Sequence, residues 1–414
     1  MPLIRPFAGL RPVAGRAADV VAPPYDVLNS AEARARAAGR PWSFLHLSKP
    51  EIDLPEDIDP HDTAVYAKAK ENLDHMLAEG VLARDGQPCY YVYRLTMGDH
   101  VQTGVVAAAS VAAYDANRIR RHEFTRPDKE DDRVRQIEAL NAQTGPVLLA
   151  YRARPQVDEL LAAATREAPD VEITADDGVG HTLWVVRDEE RIRHLTQWFD
   201  AMESLYIADG HHRSAAASRV AATRRAADTG HTGEQAYEYF LSVLFPHDQM
   251  RILDYNRVVR DLNGMRPESF LAQLAGRLAV EPADAAVRPA GPGEFGMYLG
   301  GQWYRLRIDP ARIPADPVAR LDVSLLADQV LEPLLGIRDP RRDPRIDFVG
   351  GIRGLAELER RVDGGGMAVA FSLYPTRMED LMAVADAGQV MPPKSTWFEP
   401  KLADGLVSHV LGEG

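Results

Sequence analysis

The sequence has a single cysteine, Cys89, so no intramolecular disulfide can form. It also lacks the ~20 consecutive apolar residues of a membrane-spanning helix. Its first residues, MPLIRPFAGLRPV, contain no apolar run of signal-peptide length. We therefore expect a soluble cytoplasmic protein, and neither a disulfide scaffold nor a membrane protein.

Positive charge is scarce. Lys and Arg total 48 against 61 Asp and Glu, which gives a net charge of −13. Such a charge repels nucleic acid and anionic membranes, although a local basic groove can still bind phosphate. The 45% hydrophobic content excludes a disordered chain, and 29 prolines with 31 glycines disfavour an all-helical bundle.

Several common motifs are absent. The chain has no GxxxxGK[ST] phosphate loop and no GxSxG nucleophile turn. A zinc site is disfavoured because no second His/Cys pair has ligand spacing and Cys89 stands alone. Any catalytic or binding site must therefore use another arrangement.

The pattern of apolar residues predicts an α+β fold with mixed sheets. Predicted helices cover residues 31–38, 61–80, 134–143, 155–167, 189–202, 214–227, 267–277, 321–336 and 376–387. Predicted strands cover residues 89–97, 101–111, 146–151, 171–177, 181–188, 204–209, 237–246 with an extension over 251–259, a pair within 297–308, and 364–375. A division near residue 262 predicts an N-terminal domain, 1–262, and a C-terminal α+β domain, 263–414.

The strongest local pattern is LYIADGHHRSAAA, residues 205–217, where an apolar strand runs through one glycine into a small-residue helix. Such a junction points unpaired backbone N–H groups and the positive helix end at one spot, which suits a phosphate. The polar residues of the junction are Asp209, Gly210, His211, His212, Arg213 and Ser214. The arginine could bind a phosphate oxygen, and a histidine could donate to phosphate, act as a base or bind a metal. The alternative is a capped turn with two exposed histidines.

A densely charged segment, RIRRHEFTRPDKEDDR (118–133), lies between two apolar strands. His122 and Glu123 could supply a base, while Arg121, Arg126 and Lys129 could bind anions. The alternative is a solvated surface, and a helix is predicted to follow from residue 134.

Two weaker patterns lie nearer the ends of the sequence. Tyr25 and Asp26 follow two prolines in VVAPPYDVL. Tyr25 could stack or donate a hydrogen bond and Asp26 could act as a carboxylate, while the alternative is a rigid structural turn. In MPPKSTWFEPK, Lys394, Ser395 and Thr396 could contact phosphate, although an exposed Lys-Ser-Thr is common.

Seven short segments occur in this order, spread over nearly the whole sequence. They are IRPFAGLRP, VVAPPYDVL, FLHLSKPEID, RRHEFTRPDKEDDR, IADGHHRSAAA, YNRVV and MPPKSTWFEPKLADGL. Together they resemble the bacterial and archaeal domain of unknown function 1015 family.

The DGHHR segment is also similar to the phosphate-binding turn of the ParB/sulfiredoxin superfamily. Free-serine kinases of that superfamily carry a DGHxR turn, which Asp209, Gly210, His211 and Arg213 match. They use a glutamate base from an earlier segment, for which Glu123 is the candidate and Glu51 the rival. The cysteine of sulfiredoxin and the helix-turn-helix of the partition proteins have no counterpart here.

The resemblance implies a ParB/sulfiredoxin-like phosphate-binding core and a kinase acting on a small hydroxylated metabolite, such as serine. ATP or ADP would bind at Gly210–Arg213 with Mg²⁺ held by Asp209, and Glu123 or His122 would take the hydroxyl proton. The alternatives are a phosphatase or other hydrolase, and a non-enzymatic nucleotide-binding regulator. We expect nucleotide and small-molecule partners, without nucleic acid or membrane, and a homodimer stays open.

Overall fold

The computed structural model describes residues 2–412. Within that range, contacts group the chain into two compact units. The first unit contains residues 2–250 and 400–412, and the second contains Arg251–Glu399. The predicted division at residue 262 differs from this grouping for residues 251–262 and 400–412. As a division into independently folding domains, it stays a prediction.

The chain contains both helices and strands, and its largest sheet combines parallel and antiparallel pairs, which confirms the predicted α+β class with mixed sheets. The helices are α1 (Ala17–Val20), α2 (Ser30–Ala37), α3 (Leu45–Ser48), α4 (Thr63–Ala78), α5 (Val111–Asp115), α6 (Pro127–Leu140), α7 (Pro155–Ala164), α8 (Glu189–Asp200), α9 (His211–Ala227), α10 (Pro267–Ala275), α11 (Asp322–Leu326), α12 (Ala356–Asp363) and α13 (Met378–Asp386). Among residues 2–412, no helix combines the length and the apolar character needed to cross a membrane.

The strands, in chain order, are β1 (Ile4–Arg5), β2 (Leu10–Pro12), β3 (Leu82–Arg84), β4 (Tyr90–Met97), β5 (His100–Ser110), β6 (Ile119–Arg120), β7 (Ala142–Gln143), β8 (Val147–Tyr151), β9 (Val171–Thr174), β10 (Gly180–Val186), β11 (Leu205–Asp209), β12 (Tyr239–Pro246), β13 (Arg251–Leu253), β14 (Tyr255–Val259), β15 (Ala279–Ala283), β16 (Glu294–Leu299), β17 (Gln302–Arg307), β18 (Ile346–Gly350), β19 (Val369–Leu373), β20 (Trp397–Glu399) and β21 (His409–Val410).

The first unit is built on a mixed sheet with the order β6-β11-β8-β12-β5-β4-β10-β9, and β1 also pairs with β5. The pairs β6–β11 and β8–β12 are parallel, whereas the other pairs are antiparallel. Helix α9 contributes small buried residues, Ala215–Ala217, to the core beneath this sheet. Because these side chains are short, the helix can lie close to the strands. A second apolar cluster joins α2, α3 and α4.

The tail of the chain belongs to the first unit. Strand β21 pairs with β7, and the backbone of Asp404 exchanges hydrogen bonds with that of Ala22. These pairings bring residues from both ends of the sequence to the strand β11–helix α9 junction.

The second unit contains an antiparallel sheet with the order β15-β17-β16-β19-β14-β18. Its β16–β17 hairpin confirms the strand pair predicted within residues 297–308. A short separate ladder joins β13 to β20.

Two helix starts differ from the prediction by three residues or more. Helix α6 begins at Pro127 rather than at residue 134, so half of the charged segment is helical. Proline at the first position and acidic residues in the first turn both favour a helix start. Helix α9 begins at His211 rather than at Ser214, which places both histidines and Arg213 on its first turn.

Three predicted elements were wrong in extent. Residues 251–259 do not extend β12, because a 3₁₀ turn at His247–Gln249 ends it and the following strands belong to the second unit. The helix predicted over 321–336 is α11 followed by a π-helical stretch, Ala327–Leu331. The strand predicted over 364–375 is limited to β19, since the glycine run ends the unpredicted helix α12.

Candidate functional site

The junction between β11 and α9 depends on a glycine. Strand β11 is buried up to Asp209, and Gly210 has φ +98°, a conformation that residues with a Cβ rarely adopt. A Cβ there would lie 3.3 Å from Cα of Val147 in β8 and 3.1 Å from Nε of Arg213. The chain therefore turns tightly into α9, whose first N–H groups have no acceptor within the helix.

Arg213 is held beneath this turn rather than extended into solvent. Its side chain is 9% exposed. Nη1 donates to the carbonyl oxygen of Pro146 at 2.5 Å, and Nη2 donates to Oδ2 of Asp209 at 3.3 Å. Burial acts to lower the pKa of Arg213, but Asp209, Asp26 and Asp404 raise it above its ordinary value. The guanidinium therefore remains charged and holds the Asp209 carboxylate in place.

Two further carboxyl groups face Arg213. Oδ2 of Asp26, from the Pro-Pro-Tyr-Asp corner, lies 3.8 Å from Nη2, and its side chain is 41% exposed. Asp404 comes from the tail and is buried, and its Oδ1 has no hydrogen-bond partner. Burial raises the pKa of Asp404 to about 7, although the charge of Arg213 acts to lower it. One arginine is thus shared by three carboxyl groups from distant parts of the sequence.

Asp209 is the carboxylate at the mouth of this cluster. Its side chain is 39% exposed. Burial acts to raise its pKa, but the charges of Lys401 and Arg213 are the main causes that lower it to about 2. Asp209 is therefore ionised at neutral pH and can hold a cation or accept hydrogen bonds.

Two histidines meet on the other side of Asp209. The rings of His122 and His211 are buried, with centroids 4.6 Å apart in an edge-to-face arrangement. Burial lowers the pKa of His122 to about 4 and lowers that of His211 well below its ordinary value, so both rings are neutral. Nδ1 of His211 lies 3.7 Å from Oε2 of Glu123, whose side chain is 53% exposed. Glu123 is the solvent-accessible member of this group.

The charged segment and α6 bring basic residues to the same helix start. Arg121 donates to the hydroxyl of Tyr114, and its charge adds to the effect of burial in lowering the pKa of His211. Arg126, which pairs with Asp128, and Lys129 are exposed. Burial is the largest cause that lowers the pKa of His212, and the positive charges of Arg126 and Lys129 lower it further.

The side chain of Ser214 is fully buried and makes its hydrogen bonds within the first turn of α9. Its single O–H donor is shared between the carbonyl oxygens of Gly210 and His211, at 3.3 and 3.0 Å. These bonds stabilise the first turn of the helix. A role for Ser214 in ligand binding stays a prediction.

The residues from MPPKST belong to the second unit. The carbonyl of Lys394 accepts from Arg257, and Nζ lies 5.7 Å from the ring centroid of Tyr255. The hydroxyl of Ser395 donates to the carbonyl of Pro392. The roles predicted for Lys394, Ser395 and Thr396 at the phosphate site stay predictions.

The rival base, Glu51, is buried in the first unit. Its Oε1 lies 3.0 Å from Nζ of Lys49 and accepts from the hydroxyl of Ser30 at 2.8 Å. Its side chain is 7% exposed, against 53% for Glu123. Solvent therefore reaches Glu123 more readily than Glu51.

Sequence reasoning missed Asp404 and Lys401. Both lie in the tail segment KLADG, which follows the Lys-Ser-Thr portion of the same motif. The Asp-Gly pair is the available indication, since Gly405 has φ +88° and forms a turn. Nothing in the local sequence indicates that this turn meets Arg213.

The sequence matches, over residues 4–324, the family model described as "Protein of unknown function (DUF1015)". The chain therefore belongs to this family, which confirms the resemblance seen in the sequence. No curated protein matches it.

Several solved structures are similar at low identity. A free serine kinase in complex with AMP is 13% identical, with a TM-score of 0.34, covering 73% of this chain and 92% of that one. A conserved hypothetical protein from Pyrococcus furiosus is 14% identical, with a TM-score of 0.34, covering 73% and 94%. SbnI from Staphylococcus aureus, truncated at its C-terminus, is 13% identical, with a TM-score of 0.37, covering 73% and 86%.

Proposed function

We propose that this protein is a nucleotide-dependent phosphotransferase acting on a small hydroxylated metabolite, with free serine or a related hydroxy amino acid as the first substrate to test. The supporting observation is the convergence, at the start of α9, of an ionised carboxylate, a buried arginine and an accessible glutamate. A ParB/sulfiredoxin-like phosphate-binding core is part of this proposal.

The start of α9 supplies the phosphate contacts. Backbone N–H groups of the first turn, together with the positive end of a 17-residue helix, favour an anion. Arg213 keeps the turn and Asp209 in position. The exposed Arg121, Arg126 and Lys129 would neutralise phosphoryl charge, which dominates catalysis of phosphoryl transfer.

Glu123 would accept the proton of the substrate hydroxyl. Its side chain is half exposed, whereas His122 and His211 are buried, so Glu123 is the member of the group that a substrate can reach. Because the two histidines beside it are neutral, they do not weaken it as a base in the way that a cationic imidazolium would.

The carboxylates of Asp209 and Asp26 fit a magnesium ion. Both side chains are about two-fifths exposed, at 39% and 41%, and each approaches Nη2 of Arg213. Carboxylate oxygens are the protein ligands Mg²⁺ prefers, usually one or two beside substrate phosphates. When held by Asp209 and Asp26, the ion would neutralise part of the negative charge of the phosphates. Asp209 would orient it, and Arg213 would fix the Asp209 side chain.

The test is conversion of serine to phosphoserine with ATP or ADP and Mg²⁺, followed by mass spectrometry. We expect Glu123→Gln to lower turnover by about 10²–10⁴-fold, the usual contribution of a general base, while nucleotide binding is retained. Glu138→Gln is the control, because Glu138 forms a surface pair with Arg224 on the far part of α9.

Arg213→Ala tests the anion site, with Arg219→Ala as the control on the same helix, since Arg219 pairs with Glu130 and Asp131 at the surface. We expect Arg213→Ala to lose nucleotide affinity and Arg219→Ala to keep it. Unchanged nucleotide binding in a folded Arg213→Ala variant would contradict the proposal. Phosphate release from phosphoserine without nucleotide would favour the hydrolase, and nucleotide binding without turnover the regulator.

A further inference from the structure

We propose that His122, His211 and Glu123 form a binding site for a first-row transition-metal dication of the zinc type, separate from the magnesium carboxylates. One ring nitrogen from each histidine and one carboxylate oxygen of Glu123 all lie within 4.8 Å of one another. Two imidazoles and a carboxylate form the ligand set of several catalytic zinc sites, which leave a further position open.

The two histidines carry unused ligand atoms. Nδ1 of His122 and Nε2 of His211 are buried and have no hydrogen-bond partner. An unpaired polar atom in the interior is costly, so such an atom calls for an explanation such as an ion. His122 also hydrogen-bonds the backbone of Ile207. A metal-bound histidine usually makes such a bond through its other ring nitrogen, which fixes the orientation of the ring.

The dimensions suit a small ion after a limited movement. Ligands about 2.0–2.2 Å from a tetrahedral zinc ion stand roughly 3.4 Å apart. The histidine rings are fixed by burial, with centroids 4.6 Å apart. The Glu123 side chain is 53% exposed and can rotate to close the remaining gap.

The ligand chemistry separates this site from the one assigned to Mg²⁺. Magnesium takes oxygen ligands and keeps several waters, whereas imidazole nitrogen selects zinc and its neighbours in the first transition row. The three ligands come from two distant segments, which is why spacing along the sequence disfavoured zinc. A bound dication would stabilise the Glu123 carboxylate and make it a weaker base, so ion binding would slow the reaction of the proposed function, on which this consequence rests.

Co²⁺ titration tests the site without nucleotide or serine, so its result is independent of kinase activity. The full chain, freed of any affinity tag and treated with a chelator, is titrated with Co²⁺ and followed by visible absorption. We expect one equivalent to give an intense spectrum typical of nitrogen and oxygen ligands in a low-coordinate site. Zn²⁺ should displace it, and excess Mg²⁺ should not.

Three variants locate the ion. We expect His122→Gln and His211→Gln to abolish the spectrum, and Glu123→Gln to weaken Co²⁺ binding about tenfold or more. His212→Gln is the control, because His212 neighbours the group in sequence without belonging to it. Circular dichroism checks folding, and the half-exposed Glu123 keeps the test valid if a buried histidine variant unfolds. Absence of Co²⁺ binding, displacement by Mg²⁺, or binding unchanged by Glu123→Gln would overturn the proposal.

Discussion

Arg213 illustrates how a single side chain serves several partners. It donates to Pro146 and Asp209 and also faces Asp26 and Asp404. The single positive charge of Arg213 can balance only one of the three carboxylates. Burial is the main reason why the pKa of Asp404, the most buried of the three carboxyl groups, is raised, and the negative charge of Asp26 adds to this effect.

That carboxyl group, Asp404, predicts a pH dependence of stability. Burial raises its pKa from an ordinary 3.8 to about 7. A raised pKa contributes stability that is fully present below pH ~4 and is lost as pH rises to about 7, because the folded state binds the proton more tightly. Asn at this position cannot ionise. We therefore expect Asp404→Asn to gain stability relative to the natural chain between pH 4 and 7.

Urea unfolding at pH 5 and pH 8 measures this difference. Asp177→Asn is a control in the same unit, since Asp177 caps the exposed turn before Val179. A stability difference between Asp404→Asn and the natural chain that is equal at both pH values would contradict the assignment.

At the scale of elements, strand β11, Gly210 and helix α9 form a single strand–turn–helix motif. The buried strand fixes Asp209, the glycine permits the turn, and the small residues of α9 allow close contact with the sheet. Because α9 begins at His211 rather than at the predicted Ser214, residues 211–213 form a rigid helical turn and not a loop. Positions on such a turn are set by backbone geometry, which is what a phosphate or metal site requires.

Gly210→Ala should therefore destabilise the protein by more than backbone strain alone. A positive φ costs a residue with a Cβ about 1–2 kcal/mol, and the added Cβ also approaches Val147 and Arg213. Gly178→Ala isolates the strain, because Gly178 has φ +83° and a Cβ added there would meet nothing within 4 Å. We expect the free energy of unfolding to fall by roughly 1 kcal/mol more for Gly210→Ala. Equal losses in the two variants would show that the turn tolerates a side chain.

At the scale of the whole molecule, the first unit is closed by residues from the far end of the sequence. The segment after Glu399 supplies Lys401 and Asp404 to the junction and pairs β21 with β7. It also buries four leucine and valine side chains in this unit: Leu402, Leu406, Val407 and Leu411.

Ending the chain at Glu399 should therefore unfold or strongly weaken the first unit. Full burial of one Leu or Val contributes about 1.5–3 kcal/mol, and four such losses are comparable to the ~5–15 kcal/mol net stability of a typical domain. Thermal melting and limited proteolysis measure the effect. Adding a synthetic peptide of residues 400–414 should restore protection, while a scrambled peptide should not. An unchanged melting temperature would mean that the tail is dispensable.

Much of the fold follows from local sequence. The apolar run ending at Asp209, the hairpin at residues 297–308 and most helices were predictable, because strand and helix periodicities are local properties. Extents failed where local rules compete. Pro127 begins a helix inside a charged run, and the π-helical stretch after α11 has no simple sequence pattern.

The sequence by itself determined the family, the α+β class and the strand–glycine–helix junction at DGHHR, because each depends on residues close together along the chain. Only the tertiary structure decided that Asp404 and Asp26 share Arg213, and that His122 and Glu123 meet His211. These contacts depend on the pairing of strands that are distant in the sequence. Pairing of this kind is set by the burial of whole faces, which no single segment encodes.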